Sequence, residues 1–135
     1  MDSVRIALNI AAFNDFDMLD CDIQNAYLTA DCRERVRVIS GPEFGSEAGN
    51  NMLARNSLYG LKSSGAAFRS FLADTLDAMS YWTRYANPEL WFRPEVKPDV
   101  FDYFEYILCY VDNMLCISHN TRKLMKRIED SMLST

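Results

Sequence analysis

The stretch "YFEYILCYVDNMLCIS", which begins at Tyr103, constrains the fold more than any other part of the chain. Its first nine residues are nearly all apolar or aromatic, as expected of a central β-strand that is buried on both faces. Asp112 and Asn113 then interrupt the run, and both residue types tolerate the positive φ angles of a two-residue turn. Because "MLCIS" can return as a second strand, the stretch predicts an antiparallel hairpin with Asp112-Asn113 at its bend.

A second strand carries carboxylates in alternation. In "MLDCDI", Leu19, Cys21 and Ile23 point to one side, and Asp20 and Asp22 point to the other. Two carboxylates on one face are costly unless that face meets water or a cation. A central hairpin is the natural neighbour of such a strand, and carboxylates that converge from separate strands are what two-metal phosphoryl transfer requires. The alternative is that Asp112-Asn113 is only a turn.

The other elements complete an α+β order. "VRIALNIAAF", after the capping pair Asp2-Ser3, predicts a buried helix, and a second helix begins at Ser63 or Ser64. A final helix starts at about Thr121. The segments "ERVRVIS" and "NMLARNS" predict short strands, and prolines break the region after the second helix into further short strands. The order is α-β-β-β-α-β-β-β-α, which indicates an antiparallel sheet backed by helices.

Composition excludes several classes of function. The 135 residues include 49% hydrophobic side chains, so the chain can bury a core, and the net charge of −5 disfavours nucleic acid unless basic patches are local. A single histidine, His119, without an orienting partner disfavours a hydrolase triad. The four cysteines lack metal-ligand spacing and are expected to be reduced. Without an 18-residue apolar run or a secretory signal, the chain is expected to be intracellular and to contact no membrane.

Three motifs in succession resemble copia-type retrotransposon reverse transcriptases. They are "LDCDIQNAYL", "SLYGLKSSGAAF" and "YVDNMLCIS", and the similarity covers almost the whole chain. The resemblance implies a single partial reverse transcriptase domain, with the end of the fingers at about 1–16 and an incomplete, antiparallel palm-type sheet at about 17–135. It also implies that the upstream fingers and the thumb are absent. The rest of a retroelement polyprotein and a cytoplasmic virus-like particle would be its context.

The resemblance further implies roles for individual residues. Asp22 and Asp112 would be catalytic and would bind Mg²⁺ or Mn²⁺, while an RNA template, a DNA primer and a deoxynucleoside triphosphate would be the partners. Tyr27 matches an aromatic beneath the sugar that disfavours a 2′-hydroxyl. Gly60 and Lys62 match a turn near the template and the incoming nucleotide. An ordinary half-buried aromatic and a solvated lysine are the alternatives for Tyr27 and Lys62.

The chain departs from the family pattern at Asn113, where the family carries a second aspartate. An amide brings N–H donors and no negative charge, so impaired or absent polymerase activity is expected. The segment "SSGAAF" also replaces the usual Gln-Ala-Pro-Arg-Ala-Trp, which removes side chains that could touch nucleic acid. The alternative function is a non-catalytic, domesticated domain that binds RNA or a protein partner. In a third interpretation, a generic α+β domain, the "MLDCDI" strand and the hairpin would not be neighbours.

Overall fold

A computed structural model describes residues 2–134 and contains three α-helices and seven strands. The helices are α1 (Asp2–Asn14), α2 (Ser64–Ala78) and α3 (Thr121–Leu133). The strands are β1 (Asp17–Asp22), β2 (Arg37–Ile39), β3 (Asn51–Leu53), β4 (Trp82–Arg84), β5 (Asn87–Val96), β6 (Asp102–Tyr110) and β7 (Asn113–Ser118). Two 3₁₀ helices lie at Ala26–Thr29 and Pro42–Glu47. The α+β class is confirmed, with one strand more than predicted.

The chain divides into two compact units. The first combines the chain up to Gln24 with the chain from Ala73 onward, and the second is Asn25–Leu72. Each unit has a sheet of its own, five-stranded in the first and two-stranded in the second. None of the helices found within residues 2–134 is long and apolar enough to cross a membrane.

In the first unit, the sheet is antiparallel with the strand order β1-β7-β6-β5-β4. Helix α1 lies on one face, where Ala7 and Ala11 pack against Ile117 of β7. Helix α3 lies on the other face, where Met125 contacts Cys21 of β1, the strand neighbour of Met114. Successive strand residues point to opposite faces, so Ile117 and Met114 mark different sides of one sheet. Helices therefore cover both faces of this sheet.

Strand β5 corrects the prediction that prolines interrupt this region. Pro88 and Pro94 both lie inside this ten-residue strand. Its pairing with β4 involves Phe92, Trp91 and Asn87, and its pairing with β6 starts only at Leu90. Pro94 therefore lies beyond the reach of β4, and Pro88 lies before the β6 ladder begins. A proline is tolerated where one side of a strand has no partner that needs its N–H group.

A buried carboxylate on the α3 side of the sheet was not predicted. Glu105 of β6 is 1% exposed, and its Oε1 atom lies 2.7 Å from a guanidinium nitrogen of both Arg93 and Arg127. The Tyr81 hydroxyl donates to the same oxygen, and the Ser118 hydroxyl donates to Oε2 over 3.1 Å. We call these five residues the Glu105 cluster. Buried charges are stable only when they are paired in this way.

Arg127 connects α3 to the sheet. Besides its contact with Glu105, it binds Glu95 at 3.0 Å. Burial raises the pKa of Glu105, while the hydroxyl of Tyr81 and the charge of Arg93 oppose that rise. Burial also raises the pKa of Tyr81, so its hydroxyl keeps the proton that it donates. The cluster thus fastens α3 to the central strands.

The second unit contains the antiparallel ribbon of β2 and β3. Its register pairs Arg37 with Leu53 and Ile39 with Asn51. The Ala54 N–H donates to the carbonyl of Val36 over 2.9 Å, which continues the ribbon by one residue. The first part of α2 belongs to the same unit, and it begins at Ser64 as predicted.

Candidate functional site

The hairpin between β6 and β7 turns one residue earlier than predicted. Tyr110 pairs with Asn113, so the two turn residues are Val111 and Asp112, and Asn113 is the first residue of β7. Val111 has a φ of 56°, which is rare for a β-branched residue. The register explains the shift, because it directs Met114 and Cys116 into the core and leaves only two residues for the bend. Asn113 therefore belongs to the strand.

Strand β1 lies directly beside this hairpin, as the carboxylate pattern predicted. Asp22, the last residue of β1, is the register partner of Asn113. The Ile23 N–H then donates to the carbonyl of Asp112 over 2.8 Å. This backbone bond extends the pairing past the end of β1 and fixes Asp112 beside it. The interpretation as a generic domain, in which strand and hairpin are apart, is therefore wrong.

Register also determines which side chains share a face. Directly opposed residues of an antiparallel pair project to the same side, so Asp22 and Asn113 face the α1 side of the sheet. Asp20 lies on this face too, opposite Leu115. Asp22 and Asn113 are exposed, and Asp112 is half-buried. The carboxylates at this corner are open to solvent and to ligands.

Asn113 interacts with the neighbouring carboxylate. Its Nδ2 atom donates to Oδ1 of Asp112 over 3.1 Å. A carboxylate only accepts hydrogen bonds, so the amide must present its N–H side to Asp112. An aspartate at position 113 would instead place a second negative charge beside the first. The Asn113 amide therefore satisfies part of the hydrogen-bonding capacity of the Asp112 carboxylate without a metal ion.

The donor set at this corner fits a magnesium ion in its chemistry. Mg²⁺ prefers hard oxygen ligands and keeps several waters, so two carboxylates, one at the end of β1 and one in the β6–β7 turn, suffice to hold it. Within residues 2–134 there is no group of three or more histidine, cysteine or acidic residues suited to a metal. A cation at this corner would therefore depend on Asp22 and Asp112, with water completing its coordination.

The other predicted site residues belong to the second unit. Tyr27 is half-buried, and its ring lies 4.7 Å from that of Tyr59 and 6.1 Å from that of Phe68. Gly60 has a φ of 96°, a conformation that side-chain-bearing residues rarely adopt, and Lys62 is exposed. Their roles toward nucleotide and template stay predictions.

Comparison with known proteins agrees with the motifs. A family model for reverse transcriptase (RNA-dependent DNA polymerase) matches residues 1–134. The chain therefore belongs to the reverse transcriptase family.

Two curated relatives identify the kind of reverse transcriptase. One is the retrovirus-related Pol polyprotein from transposon TNT 1-94 of Nicotiana tabacum, 25% identical over 93% of this chain and 9% of the relative. The other is the transposon Ty1-MR1 Gag-Pol polyprotein of Saccharomyces cerevisiae, 32% identical over 96% of this chain and 7% of the relative. The sequence is thus of the copia type found in retrotransposons, and it spans less than a tenth of either relative.

Proposed function

We propose that this chain is the palm segment of a copia-type reverse transcriptase and that Asp22 and Asp112 form its divalent-metal site. The observation that supports this most is the β1–β7 register, which sets Asp22 opposite Asn113 and beside Asp112. The proposed reaction is RNA-templated addition of deoxynucleotides to a DNA primer. Bound Mg²⁺ would stabilise the attacking and leaving oxygens, and the two carboxylates would hold it in place.

Asn113 would weaken this activity. It removes one negative charge from the metal corner and occupies an oxygen of Asp112. Each 1.4 kcal/mol of lost metal affinity is about a tenfold change in binding. We therefore expect the chain to bind Mg²⁺ weakly and to extend primers slowly or not at all. The same residue favours a second candidate, a domain that binds RNA or a protein partner without catalysis.

The metal site can be tested by thermal unfolding with Mg²⁺ and with EDTA. A ligand at ten times its dissociation constant stabilises a protein by about 1.4 kcal/mol, or a few degrees in Tm for a domain of this size. Asp22→Asn and Asp112→Asn should abolish the Mg²⁺-dependent shift. Asp20→Asn is the matched control, because it removes the same charge from the same strand face and should keep the shift. Equal losses for Asp20→Asn and Asp22→Asn would contradict the assignment.

Catalysis needs a separate assay. Primer extension on an RNA template with Mg²⁺ should increase in Asn113→Asp and disappear in Asn113→Asp combined with Asp22→Ala. Robust extension by the original chain that survives Asp22→Ala would end the assignment of Asp22 as a metal ligand.

A further inference from the structure

Sulfur atoms from three elements of the first unit converge on the α3 side of its sheet. Cys21 lies in β1, Cys116 in β7 and Met125 in α3. The register sets Cys21 opposite Met114 and Leu19 opposite Cys116. Cys21 and Cys116 are therefore diagonal neighbours on one face of the sheet, although they are far apart in the chain. We call Cys21, Cys116 and Met125 the sulfur site.

The sulfur of Cys21 contacts the other two members of the sulfur site. Its Sγ atom lies 3.5 Å from Sδ of Met125 and 3.3 Å from the carbonyl oxygen of Met114. The Cys116 thiol donates a hydrogen bond to Cys21, which lowers the pKa of Cys21 and raises that of Cys116. Both cysteines are free thiols. Three sulfur atoms thus lie side by side between the sheet and α3.

The diagonal relation of the two cysteines favours a bridging ion over a disulfide. Diagonal neighbours of an antiparallel pair have Cα atoms about 7–8 Å apart, whereas a disulfide without backbone movement needs a Cα separation below about 7 Å. Metal–sulfur bonds of about 2.3 Å place the sulfurs of a trigonal site about 4 Å apart. The 3.5 Å between the sulfurs of Cys21 and Met125 is within a few tenths of an ångström of that spacing.

The number of ligands indicates which metal fits. Among residues 2–134, no third histidine, cysteine or acidic residue joins the two cysteines in a group suited to a metal. Cys109 shares the register partner Met114 with Cys21, which puts it two strand spacings, about 9.6 Å, from Cys21. Structural zinc almost always takes four ligands, and iron–sulfur clusters take four cysteines. Copper(I) is a soft ion that accepts two or three thiolate and thioether ligands.

The sulfur site is accessible from one side. Cys21 and Met125 are half-buried and Cys116 is buried, and β1 is an edge strand of the sheet. The carboxylates of Asp20, Asp22 and Glu129 act on Cys21 through their negative charge. Negative charge around an opening attracts cations. An ion can therefore reach the sulfur atoms from the edge of the sheet.

We propose that Cys21, Cys116 and Met125 form a binding site for copper(I). Two thiolates and one thioether hold the ion, and the two thiol protons are released to solvent. The bound ion joins β1, β7 and α3, so it braces the strand that ends at Asp22. The site is distinct from the proposed magnesium site, because Cys21 and Asp22 project to opposite faces of the sheet. It does not depend on the proposed function.

The test is an oxygen-free titration with copper(I) in competition with bathocuproine disulfonate, without Mg²⁺ or nucleic acid. The original chain should bind one copper(I) ion and show a near-ultraviolet thiolate-to-copper charge-transfer band. Changes to the groups around metal ligands cost about 10–100-fold in affinity, so loss of a ligand in Cys21→Ser should cost at least about 100-fold. The matched control is Cys109→Ser, a half-buried cysteine of the same sheet face, which should bind copper(I) as the original chain does.

A second variant avoids any change to the strands. Met125→Leu keeps the volume and the apolar character of the side chain, and should weaken binding by about tenfold. Its control on the same helix is Met132→Leu, which should leave the affinity unchanged. X-ray absorption at the copper edge should show three sulfur neighbours at about 2.3 Å in the original chain and two in Met125→Leu.

Several results would overturn the proposal. They include no copper(I) binding by the original chain, equal affinities in Cys21→Ser and the original chain, and a loss in Cys109→Ser as large as that in Cys21→Ser. Nitrogen or oxygen neighbours in place of sulfur would also overturn it. So would tight zinc binding that the same substitutions abolish, or a Cys21–Cys116 disulfide formed with glutathione disulfide by a chain that does not bind copper(I).

Discussion

Carboxylates on the two faces of the five-stranded sheet lie in opposite environments. On the α3 side, Glu105 is buried and surrounded by two guanidinium groups and two hydroxyl groups. On the α1 side, Asp22 is exposed at the end of β1, and beside it the Asp112 carboxylate accepts a hydrogen bond from the amide of Asn113. The first arrangement is complete without any ligand. In the second arrangement, the carboxylates lie at the end of β1 and in the β6–β7 turn, where solvent and ligands can reach them.

This difference indicates that the buried carboxylate contributes to stability and that the exposed carboxylates contribute to function. Taking a charge out of water is expensive, so a buried carboxylate persists only where the fold itself supplies its partners. An exposed carboxylate stays hydrated and incurs no such cost, so it can bind a cation from solution. The Glu105 cluster therefore stabilises the sheet, and the corner at Asp22 and Asp112 is free to bind a ligand. Mutations on the two sides should consequently change different measurements.

The largest effect is expected at Glu105. Glu105→Ala leaves the guanidinium groups of Arg93 and Arg127 without their main partner and should lower the free energy of unfolding by about 3–5 kcal/mol. Urea denaturation measures this directly. Glu129→Ala, on the exposed side of α3, is the control and should change stability by less than about 0.5 kcal/mol. A loss for Glu105→Ala no larger than the control would mean that the cluster is not stabilising.

A smaller and ion-dependent effect is expected at Asn113. In EDTA, Asn113→Asp replaces a hydrogen bond with a repulsion between exposed carboxylates and should cost less than about 1 kcal/mol. With Mg²⁺ the sign should reverse, because the added carboxylate offers another anionic ligand. Asn113→Ala, which removes the donor without adding charge, should show about the same Mg²⁺-dependent shift as the original chain. An identical Mg²⁺-dependent shift in Asn113→Asp and the original chain would refute the ligand role of this position.

Local patterns predicted the central strands of this sheet well, but the buried helix predicted from "VRIALNIAAF" is wrong, because only Ala7 and Ala11 of α1 are buried. The alternation in "MLDCDI" predicted β1 and its exposed aspartates, and the apolar run that begins at Tyr103 predicted β6, in which Ile107 and Leu108 are buried. The pairing of β1 with the hairpin followed from the cost of unpaired carboxylates and is confirmed. These features depend on short-range periodicity, which a sequence displays directly.

Features set by tertiary context were missed. Glu105 lies in an apolar run of the sequence. Its partners are Tyr81, just before β4, Arg93 in β5, Ser118 in β7 and Arg127 in α3, so no local pattern reveals the cluster. The turn at Val111 follows from the register of β6 with β7, which overrides the turn preference of Asp-Asn. Pro94 is tolerated in β5 only because β4 is short. The roles of Tyr27, Gly60 and Lys62 depend on nucleic acid and stay predictions.

Glu34 provides an intermediate case, an exposed carboxylate with partners of its own. Because Ser63 lowers its folded-state pKa below the ordinary value of 4.5, its contribution to stability is present above that value and is lost as the pH falls through the folded pKa. Carbon-13 NMR titration should show the depressed pKa, and Ser63→Ala should move it back toward 4.5. In Glu34→Gln, which keeps the acceptor but cannot titrate, amide exchange at the start of α2 should lose its dependence on acid. An ordinary pKa at Glu34 would show that hydrogen bonding without burial leaves the pKa of an exposed carboxylate unchanged. The contrast between Glu105 and the exposed aspartates of the two sheet faces would then depend on burial alone.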